Sequence, residues 1–152
     1  MTAMQVNESL LISSTAFTNG GAIPSKYTCD GSDLNPPLTI KNIPEGTKSL
    51  AVIMEDPDAT KGTFDHWVLW NIIPSEVIEE QNTKGTDGIN GTGNKGYKGP
   101  CPPTGNHHYI FKVFALSNTL TLEAGSNKEA LLNAMKDLVL SKGELTGMYQ
   151  KK

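Results

Sequence analysis

Residues 85–116 constrain the fold more than any other part of the sequence, because their two halves have opposite characters. Residues 85–105 contain seven glycines and three prolines, a composition that predicts a loop. From His108 to Leu116 the sequence alternates as a strand does, with two sets of side chains on opposite faces. One face would carry Tyr109, Phe111, Val113 and Ala115, and the other Ile110, Lys112 and Phe114. A loop of this kind, followed by a patterned strand, predicts functional groups held on a rigid scaffold.

The rest of the chain predicts a mainly β protein, α+β by content. Short apolar runs bounded by turn residues occur at 10–13, 38–40, 49–54, 64–72 and 145–149. Residues 49–54 are apolar on both faces, as expected for a strand at the centre of a sheet. In residues 64–72, alternation predicts one face with His66, Val68, Trp70 and Ile72, and another with Asp65, Trp67, Leu69 and Asn71.

One helix is predicted near the C-terminus, with a second peripheral helix possible elsewhere. Ser126 and Glu129 have the spacing of a capping box, so we expect Ser126 to be the N-cap. Gly143 would end the helix. Between these ends runs an apolar stripe of Leu131, Leu132, Met135, Leu138 and Val139.

Length, charge and cysteine content limit the possible partners. The 152 residues suit one domain, residues 1–152. The formal net charge of −3 argues against a nucleic acid or an anionic membrane as the main partner. No apolar run approaches the roughly 20 residues of a membrane span, and the N-terminus lacks the basic start of a signal peptide. Two cysteines are too few for a disulfide scaffold, so we expect a cytoplasmic protein with reduced thiols by default.

Four polar residues stand where strands begin or end, and they could form a site: Asp56, Asp58, His66 and His107. If their strands are neighbours in one sheet, these side chains could converge beside the backbone of Gly99 and Pro100. The aromatic residues that could line such a pocket are Phe64, Trp67, Tyr97 and Tyr109. An aspartate at a strand end is more often a turn residue, and a lone histidine is more often a structural side chain, so both interpretations stay open.

Two adjacent histidines need separate roles. In a strand, His107 and His108 point to opposite faces, so we assign His107 to the candidate site and His108 to solvent.

Other motifs are less well supported. Residues 91–96 match G-x-G-x-x-G, but no strand leads directly into them and prolines follow instead of a helix. No P-loop or nucleophile elbow occurs, and the histidines lack zinc-ligand spacing, so no metal site is predicted. Cys101 and His107 could form a thiol nucleophile pair, but a packed structural thiol is the better interpretation because Cys101 lies between prolines.

Several ordered motifs together resemble the phosphatidylethanolamine-binding protein family, also called Raf kinase inhibitor-like proteins, in its bacterial and archaeal form. The motifs span nearly the whole chain: YTCDG at 27–31, PPL at 36–38, DPDA at 56–59, HWV at 66–68, GYKGPCPP at 96–103, HHYIFKVFAL at 107–116 and GELTGMY at 143–149. The chain departs from the usual pattern at Thr60, where proline is common, and at His108, where arginine is common. Asp65 adds an unexpected charge beside His66.

The resemblance implies a large central antiparallel sheet, a smaller second sheet and flanking helices. It also implies an anion pocket made, by motif match, of Asp56, Ala59, His66, Gly99, Pro100, His107 and Tyr109. It implies further that Cys29 and Cys101 lie near each other and are able to form a disulfide, and it allows a homodimer.

The function expected from these observations is the binding of a small phosphorylated or other anionic ligand, without a cofactor and without catalysis. His66 and His107 would donate hydrogen bonds to the anion, and N–H groups of the glycine-rich loop would add more. Two alternatives stay open. The first is inhibition of a serine protease or a kinase through the loops at 58–63 and 79–94. The second, weaker, is a small hydrolase that uses Asp56 and His66 for general acid–base chemistry.

Overall fold

The computed structural model describes residues 9–151, and most of the regular secondary structure in this range consists of strands. The strands are β1 (Leu11–Ser13), β2 (Leu38–Lys41), β3 (Ser49–Asp56), β4 (Phe64–Ile72), β5 (Val77–Ile78), β6 (Thr86–Asp87), β7 (Asn106–Leu116) and β8 (Val139–Gln150). A 3₁₀ turn covers Ser25–Tyr27, and one α-helix, α1, covers Lys128–Met135 within the described part of the chain.

The strands form two antiparallel sheets. The larger sheet has five strands in the order β6-β4-β3-β7-β8, and the smaller has three in the order β1-β2-β5. In the larger sheet β3 lies at the centre between β4 and β7, and all eight of its residues are buried, which the two-sided apolar pattern predicted for residues 49–54. The end of β3 therefore adjoins the start of β4 and the start of β7, which brings the candidate polar residues to one end of the sheet.

The two faces of the larger sheet support separate apolar cores. The main core lies on the face shared with the smaller sheet and includes Tyr109, Phe111, Val113 and Ala115 from β7, as the alternation predicted. The second core lies under α1 and includes Val68, Trp70 and Phe114. Burying these side chains stabilises the fold by roughly 25 cal/mol per Å² of apolar area removed from water.

The predicted faces of β4 are wrong at both ends, because the pairing with β3 shifts register near each end. At the start, the shift between Met54 and Glu55 puts His66 on the face of Tyr109, while Asp65 lies on the α1 face. Trp67, Leu69 and Ile72 belong to the main core, while Val68 and Trp70 belong to the second core. Pairing shifts register between Leu50 and Val52, and Asn71 has a positive φ of 56°. A bulge inserts one residue and reverses the alternation beyond it, so Ile72 leaves the face of Trp70.

The predicted C-terminal helix is also wrong in its limits. Asn127, not Ser126, is the N-cap, and its side chain accepts a hydrogen bond from the Ala130 N–H group at 2.9 Å. The helix ends at Met135, because Asp137 adopts a positive φ of 68° and the chain then enters β8. β8 pairs with β7 from Val139 to Gln150, so the last strand is much longer than the expected 145–149.

Candidate ligand pocket

A cavity of about 180 Å³ opens where β3 ends and where β4 and β7 begin. Its lining is mostly apolar with a few convergent polar groups, which is the usual character of a small-ligand pocket. The lining residues are Asp56, Ala59, Thr60, Phe64, His66, Lys98, Gly99, Cys101, Pro102, Pro103, His107 and Tyr109.

His107 is held by Asp56. The His107 Nδ1 atom lies 2.7 Å from Asp56 Oδ2, and the two side chains are only 13% and 5% exposed. The other Asp56 oxygen accepts a hydrogen bond from the Asp58 backbone N–H at 2.7 Å. Because a carboxylate accepts hydrogen bonds, Nδ1 donates, and Nε2 is the ring nitrogen left for a ligand.

His66 is held in the same way by the backbone. Its Nδ1 atom donates to the Lys98 carbonyl oxygen at 2.5 Å, since a carbonyl can only accept. Its ring packs edge-on against Phe64 and Tyr109, with centroids 4.8 and 5.2 Å apart. Burial lowers the pKa of His66 despite the hydrogen bond to the carbonyl and the charge of Asp56, so the ring favours its neutral form. Neutral His66 therefore presents an unprotonated Nε2.

The hydroxyl of Tyr109 is the most informative polar atom in the pocket. Tyr109 is fully buried, and its hydroxyl forms no hydrogen bond of good geometry within residues 9–151, although the Asp56 carboxylate lies near it. Burial raises the pKa of Tyr109, and the nearby charge of Asp56 raises it further, so the hydroxyl stays protonated and able to donate. A buried polar group without a partner costs about 1–3 kcal/mol, so a ligand that accepts from it gains that interaction.

The cavity wall formed by residues 98–103 is cross-linked to the segment at 27–33. Cys29 and Cys101 form a disulfide with Cα atoms 5.5 Å apart, so the default expectation of free thiols does not describe this structure. The Cys29 N–H donates to the Pro100 carbonyl at 3.1 Å, and the Tyr97 hydroxyl donates to the Tyr27 carbonyl at 2.7 Å. These links hold the proline-rich wall in one position.

Gly99 is required in this wall by close packing. A Cβ atom at this position would overlap the Tyr27 carbonyl oxygen and the Asp33 side chain. The Gly99 N–H donates to Asp33 Oδ1 at 2.8 Å, and the Lys98 N–H donates to the His66 carbonyl at 2.8 Å. Both N–H groups are therefore already used. The expectation that the glycine-rich loop would donate to an anion is wrong at these two positions.

Six of the seven residues assigned by motif line the cavity, and Pro100 instead supplies the carbonyl that binds Cys29. Asp58 turns away and accepts hydrogen bonds from the backbone and the ring of exposed His108, and these bonds lower the pKa of Asp58. Trp67 and Tyr97 pack against each other with centroids 5.5 Å apart and do not line the cavity. The structure adds Lys98, which lies inside the GYKGPCPP motif but has no signature of its own.

A cluster of ion pairs lies on the opposite face of the sheet, also near the end of β3. Glu55 pairs with Lys112 at 2.5 Å and with Lys128 at 2.9 Å, and Lys128 also pairs with Asp65 at 2.8 Å. Burial opposes ionisation of Glu55, but hydrogen bonds from the two lysines outweigh it and lower its pKa.

Residues 9–151 contain neither a metal-type cluster of side chains nor a membrane-spanning helix. No group of three or more His, Cys, Asp or Glu side chains has the arrangement of a metal site in this part of the chain. None of the helices described has the length and apolar character that crossing a membrane requires.

The family model described as phosphatidylethanolamine-binding protein matches residues 13–150. The chain belongs to the phosphatidylethanolamine-binding protein family. Its relatives include a UPF0098 protein of Pyrococcus abyssi, 46% identical over 156 residues, covering 95% of this chain and 88% of the relative. A UPF0098 protein of Chlamydia trachomatis is 39% identical over 147 residues, covering 92% of this chain and 98% of the relative. These names state no enzymatic activity.

Solved structures from the phosphatidylethanolamine-binding protein family superpose along nearly the whole chain. A homologue from Chlamydia trachomatis matches with a TM-score of 0.91 and 37% identity, covering 97% of this chain and all of that one. Escherichia coli YbcL, described as a member of the mammalian family, matches with a TM-score of 0.86 and 29% identity, covering 95% of this chain and all of that one. The fold that the motif resemblance implied is confirmed.

Proposed function

We propose that the pocket binds a small anion of the phosphate class, and that the protein acts by binding rather than by catalysis. The observation that carries the proposal is the set of three groups around one cavity: the Nε2 atoms of His66 and His107 and the unpartnered hydroxyl of Tyr109. Each can donate one hydrogen bond to an oxyanion once the imidazoles are protonated.

The proton on each imidazole is part of the binding reaction. With Nδ1 already donating, a neutral ring offers only an acceptor at Nε2, which repels the lone pairs of a fully ionised anion. The ring must take up a proton at Nε2, or the anion must bring one. The Asp56 carboxylate lies 2.7 Å from Nδ1 of His107 and keeps a proton on that atom, so a ligand meets the ring at Nε2.

The expected affinity is modest. Three charge-assisted hydrogen bonds at roughly 1.5–3 kcal/mol each, less the cost of immobilising the ligand, correspond to dissociation constants from about millimolar to micromolar.

A hydrolase is less well supported by the same geometry. Asp56 pairs with His107 rather than with His66, so the acid–base pair expected from the sequence is not the pair that forms. Cys101, the nearest candidate for a nucleophile, is bonded to Cys29.

The family name points to phosphate-bearing head groups, which fits an oxyanion pocket. Inhibition of a protease or kinase through residues 58–63 and 79–94, a cytoplasmic location and a homodimer all stay predictions.

The test compares two neighbouring histidines by isothermal titration with inorganic phosphate. His107→Ala should weaken binding at least tenfold, because it removes a donor at the cavity. His108→Ala is the matched control, since this ring is 53% exposed and pairs with Asp58, and it should change affinity less than twofold. Equal affinity in wild type and His107→Ala would contradict the proposal.

A further inference from the structure

Lys98 is the one lysine or arginine among the residues that line the cavity. Its Nζ atom lies 3.6 Å from Asp33 Oδ2, beyond ordinary hydrogen-bond distance, and its side chain is 36% exposed. The ammonium group is therefore weakly held and partly hydrated at the rim. Lysine ammonium groups are charged throughout the pH range in which imidazoles titrate. Lys98 is therefore the ammonium-bearing side chain of this lining.

Asp33 has two separable contacts with the wall. One carboxylate oxygen accepts the Gly99 N–H at 2.8 Å and so helps to shape the wall, while the other faces the Lys98 ammonium. Asp33 also adopts a positive φ of 59°, a conformation that aspartate and asparagine tolerate better than most residues. Asparagine could therefore keep the shape and the Gly99 contact while removing the charge.

The charges of Lys98 and Asp33 both act on His66, which lines the pocket. Burial and the Lys98 carbonyl dominate the pKa of His66, but the Lys98 ammonium also lowers it and the Asp33 carboxylate raises it. Charges felt by the His66 ring are also felt by an oxyanion bound at its Nε2.

We propose that Lys98 makes the pocket select doubly charged phosphomonoesters over singly charged phosphodiesters, and that Asp33 is a resident counter-ion which the ligand displaces. This inference rests on the proposed function, since it assigns a ligand class to the same pocket. A phosphomonoester has a second ionised oxygen for the ammonium, whereas a phosphodiester has one charge shared by two oxygens. Lysine suits this role because its stem is flexible and its ammonium has three donors.

Two substitutions test the proposal in opposite directions. Lys98→Met removes the ammonium but keeps the backbone N–H and carbonyl that bind His66. Asp33→Asn keeps an acceptor for the Gly99 N–H and removes the competing charge. Lys61→Met is the matched control, because Lys61 is exposed and does not line the cavity.

The probes are O-phosphoethanolamine, a monoester, and glycerophosphoethanolamine, a diester, titrated at pH 8. We expect Lys98→Met to weaken monoester binding about three- to tenfold and diester binding less than twofold. Asp33→Asn should strengthen monoester binding about two- to fivefold. Asp33→Asn should strengthen monoester binding less in the Lys98→Met background than in wild type, since part of the carboxylate's effect passes through the ammonium.

The outcomes separate this inference from the proposed function. If wild type binds inorganic phosphate but Lys98→Met loses both esters equally or neither, the role of Lys98 is overturned while the pocket stands. Weaker monoester binding by Asp33→Asn, with unchanged thermal stability, would overturn the role of Asp33. If wild type binds neither phosphate nor the esters at millimolar concentration, the proposed function fails and this inference fails with it.

Discussion

At one end of the larger sheet, the two faces differ in how their polar side chains are paired. One face carries ion pairs and the other lines the cavity. Glu55 and Asp65 point towards α1, where each carboxylate has a lysine partner within 3 Å. Their immediate neighbours in sequence, Asp56 and His66, line the cavity on the other face. There, each histidine is fixed through Nδ1 only, and the hydroxyl of Tyr109 has no partner in the described chain.

The difference distinguishes a structural polar cluster from a binding site. The cluster of Glu55, Asp65, Lys112 and Lys128 balances two carboxylates with two ammonium groups at distances within 3 Å, although Asp65 Oδ1 makes no hydrogen bond of good geometry. The pocket orients its side chains but leaves their outer atoms unsatisfied beside a cavity, and only a ligand or water can complete them. Substitutions on the two faces should therefore separate stability from affinity.

The largest effect on stability should come from the cross-link that holds the pocket wall. The disulfide joins residues 72 apart in sequence, and on the chain-entropy account it stabilises the fold by about 4 kcal/mol. We expect the double substitution Cys29→Ser with Cys101→Ser to lower the free energy of unfolding in urea by about that amount. Reduction of the wild type with a dithiol should reproduce the loss, and a change below about 1 kcal/mol in both samples would contradict it.

On the α1 face, Glu55→Ala should destabilise the protein without affecting the pocket. It leaves Lys112 and Lys128 without their shared carboxylate in a partly buried setting, which should cost about 2 kcal/mol. Phosphate affinity should stay within about twofold of wild type. The control is Glu76→Ala, which breaks an exposed pair with Lys41 and should cost less than about 0.5 kcal/mol. A large loss of phosphate affinity in Glu55→Ala would show that the two faces are not independent.

On the pocket face, Tyr109→Phe should lower phosphate affinity without lowering stability, the reverse of Glu55→Ala. Removing a buried hydroxyl without a partner should leave the free energy of unfolding unchanged within about 0.5 kcal/mol, or raise it. Phosphate affinity should fall about three- to tenfold, the equivalent of one lost hydrogen bond.

Tyr97→Phe is the matched control for this substitution. The Tyr97 hydroxyl donates to the Tyr27 carbonyl, so its loss should cost about 1 kcal/mol of stability. If Tyr109→Phe costs as much stability as Tyr97→Phe and leaves affinity unchanged, the hydroxyl has a structural partner instead of a ligand.

Anion affinity should also depend gradually on pH. Burial lowers the pKa of His66 in the free protein, and a bound anion should raise it by stabilising the imidazolium. Binding then takes up a proton, and sulfate affinity should fall as pH rises from 5.5 to 8.5, by at most about tenfold per unit for one proton. Sulfate is the probe because it does not titrate in this range. An affinity that is flat with pH would contradict proton uptake.

The same shift predicts how stability without an anion depends on pH. Since the folded pKa of His66 lies below its unfolded value of about 6.5, the neutral ring contributes stability above that pH. This contribution is lost as pH falls from the unfolded pKa towards the folded one. Thermal unfolding in a buffer free of oxyanions should show the loss, and sulfate should reduce it.

The sequence predicted the elements whose patterns are undisturbed. The burial of residues 49–54 in β3 and the inward face of β7 follow directly from apolar runs and alternation, and these two strands carry Asp56, His107 and Tyr109. Because Asp56 and His107 stand at the ends of paired strands, their convergence could be predicted once the strands were taken as neighbours.

The errors arose where a local pattern and a tertiary contact disagree. The stripe from Leu131 to Val139 suits a helix, but pairing of β8 with β7 extends back to Val139 and ends the helix early. The alternation of Leu145, Gly147 and Tyr149 predicted only the last part of this strand. Lys98 could not be assigned, because nothing local indicates that a lysine in a glycine-rich loop will lie beside a cavity.

The most direct test of the pocket is a nitrogen-15 NMR titration of the three imidazoles with inorganic phosphate at pH 6 and pH 8. The account predicts that free His66 and His107 carry their proton on Nδ1. Phosphate should produce saturable shifts at the Nε2 atoms of these two rings, larger at pH 6, and none at His108. Equal small shifts at all three rings, or none at millimolar phosphate, would contradict the claim that the unsatisfied face of the sheet is an anion pocket.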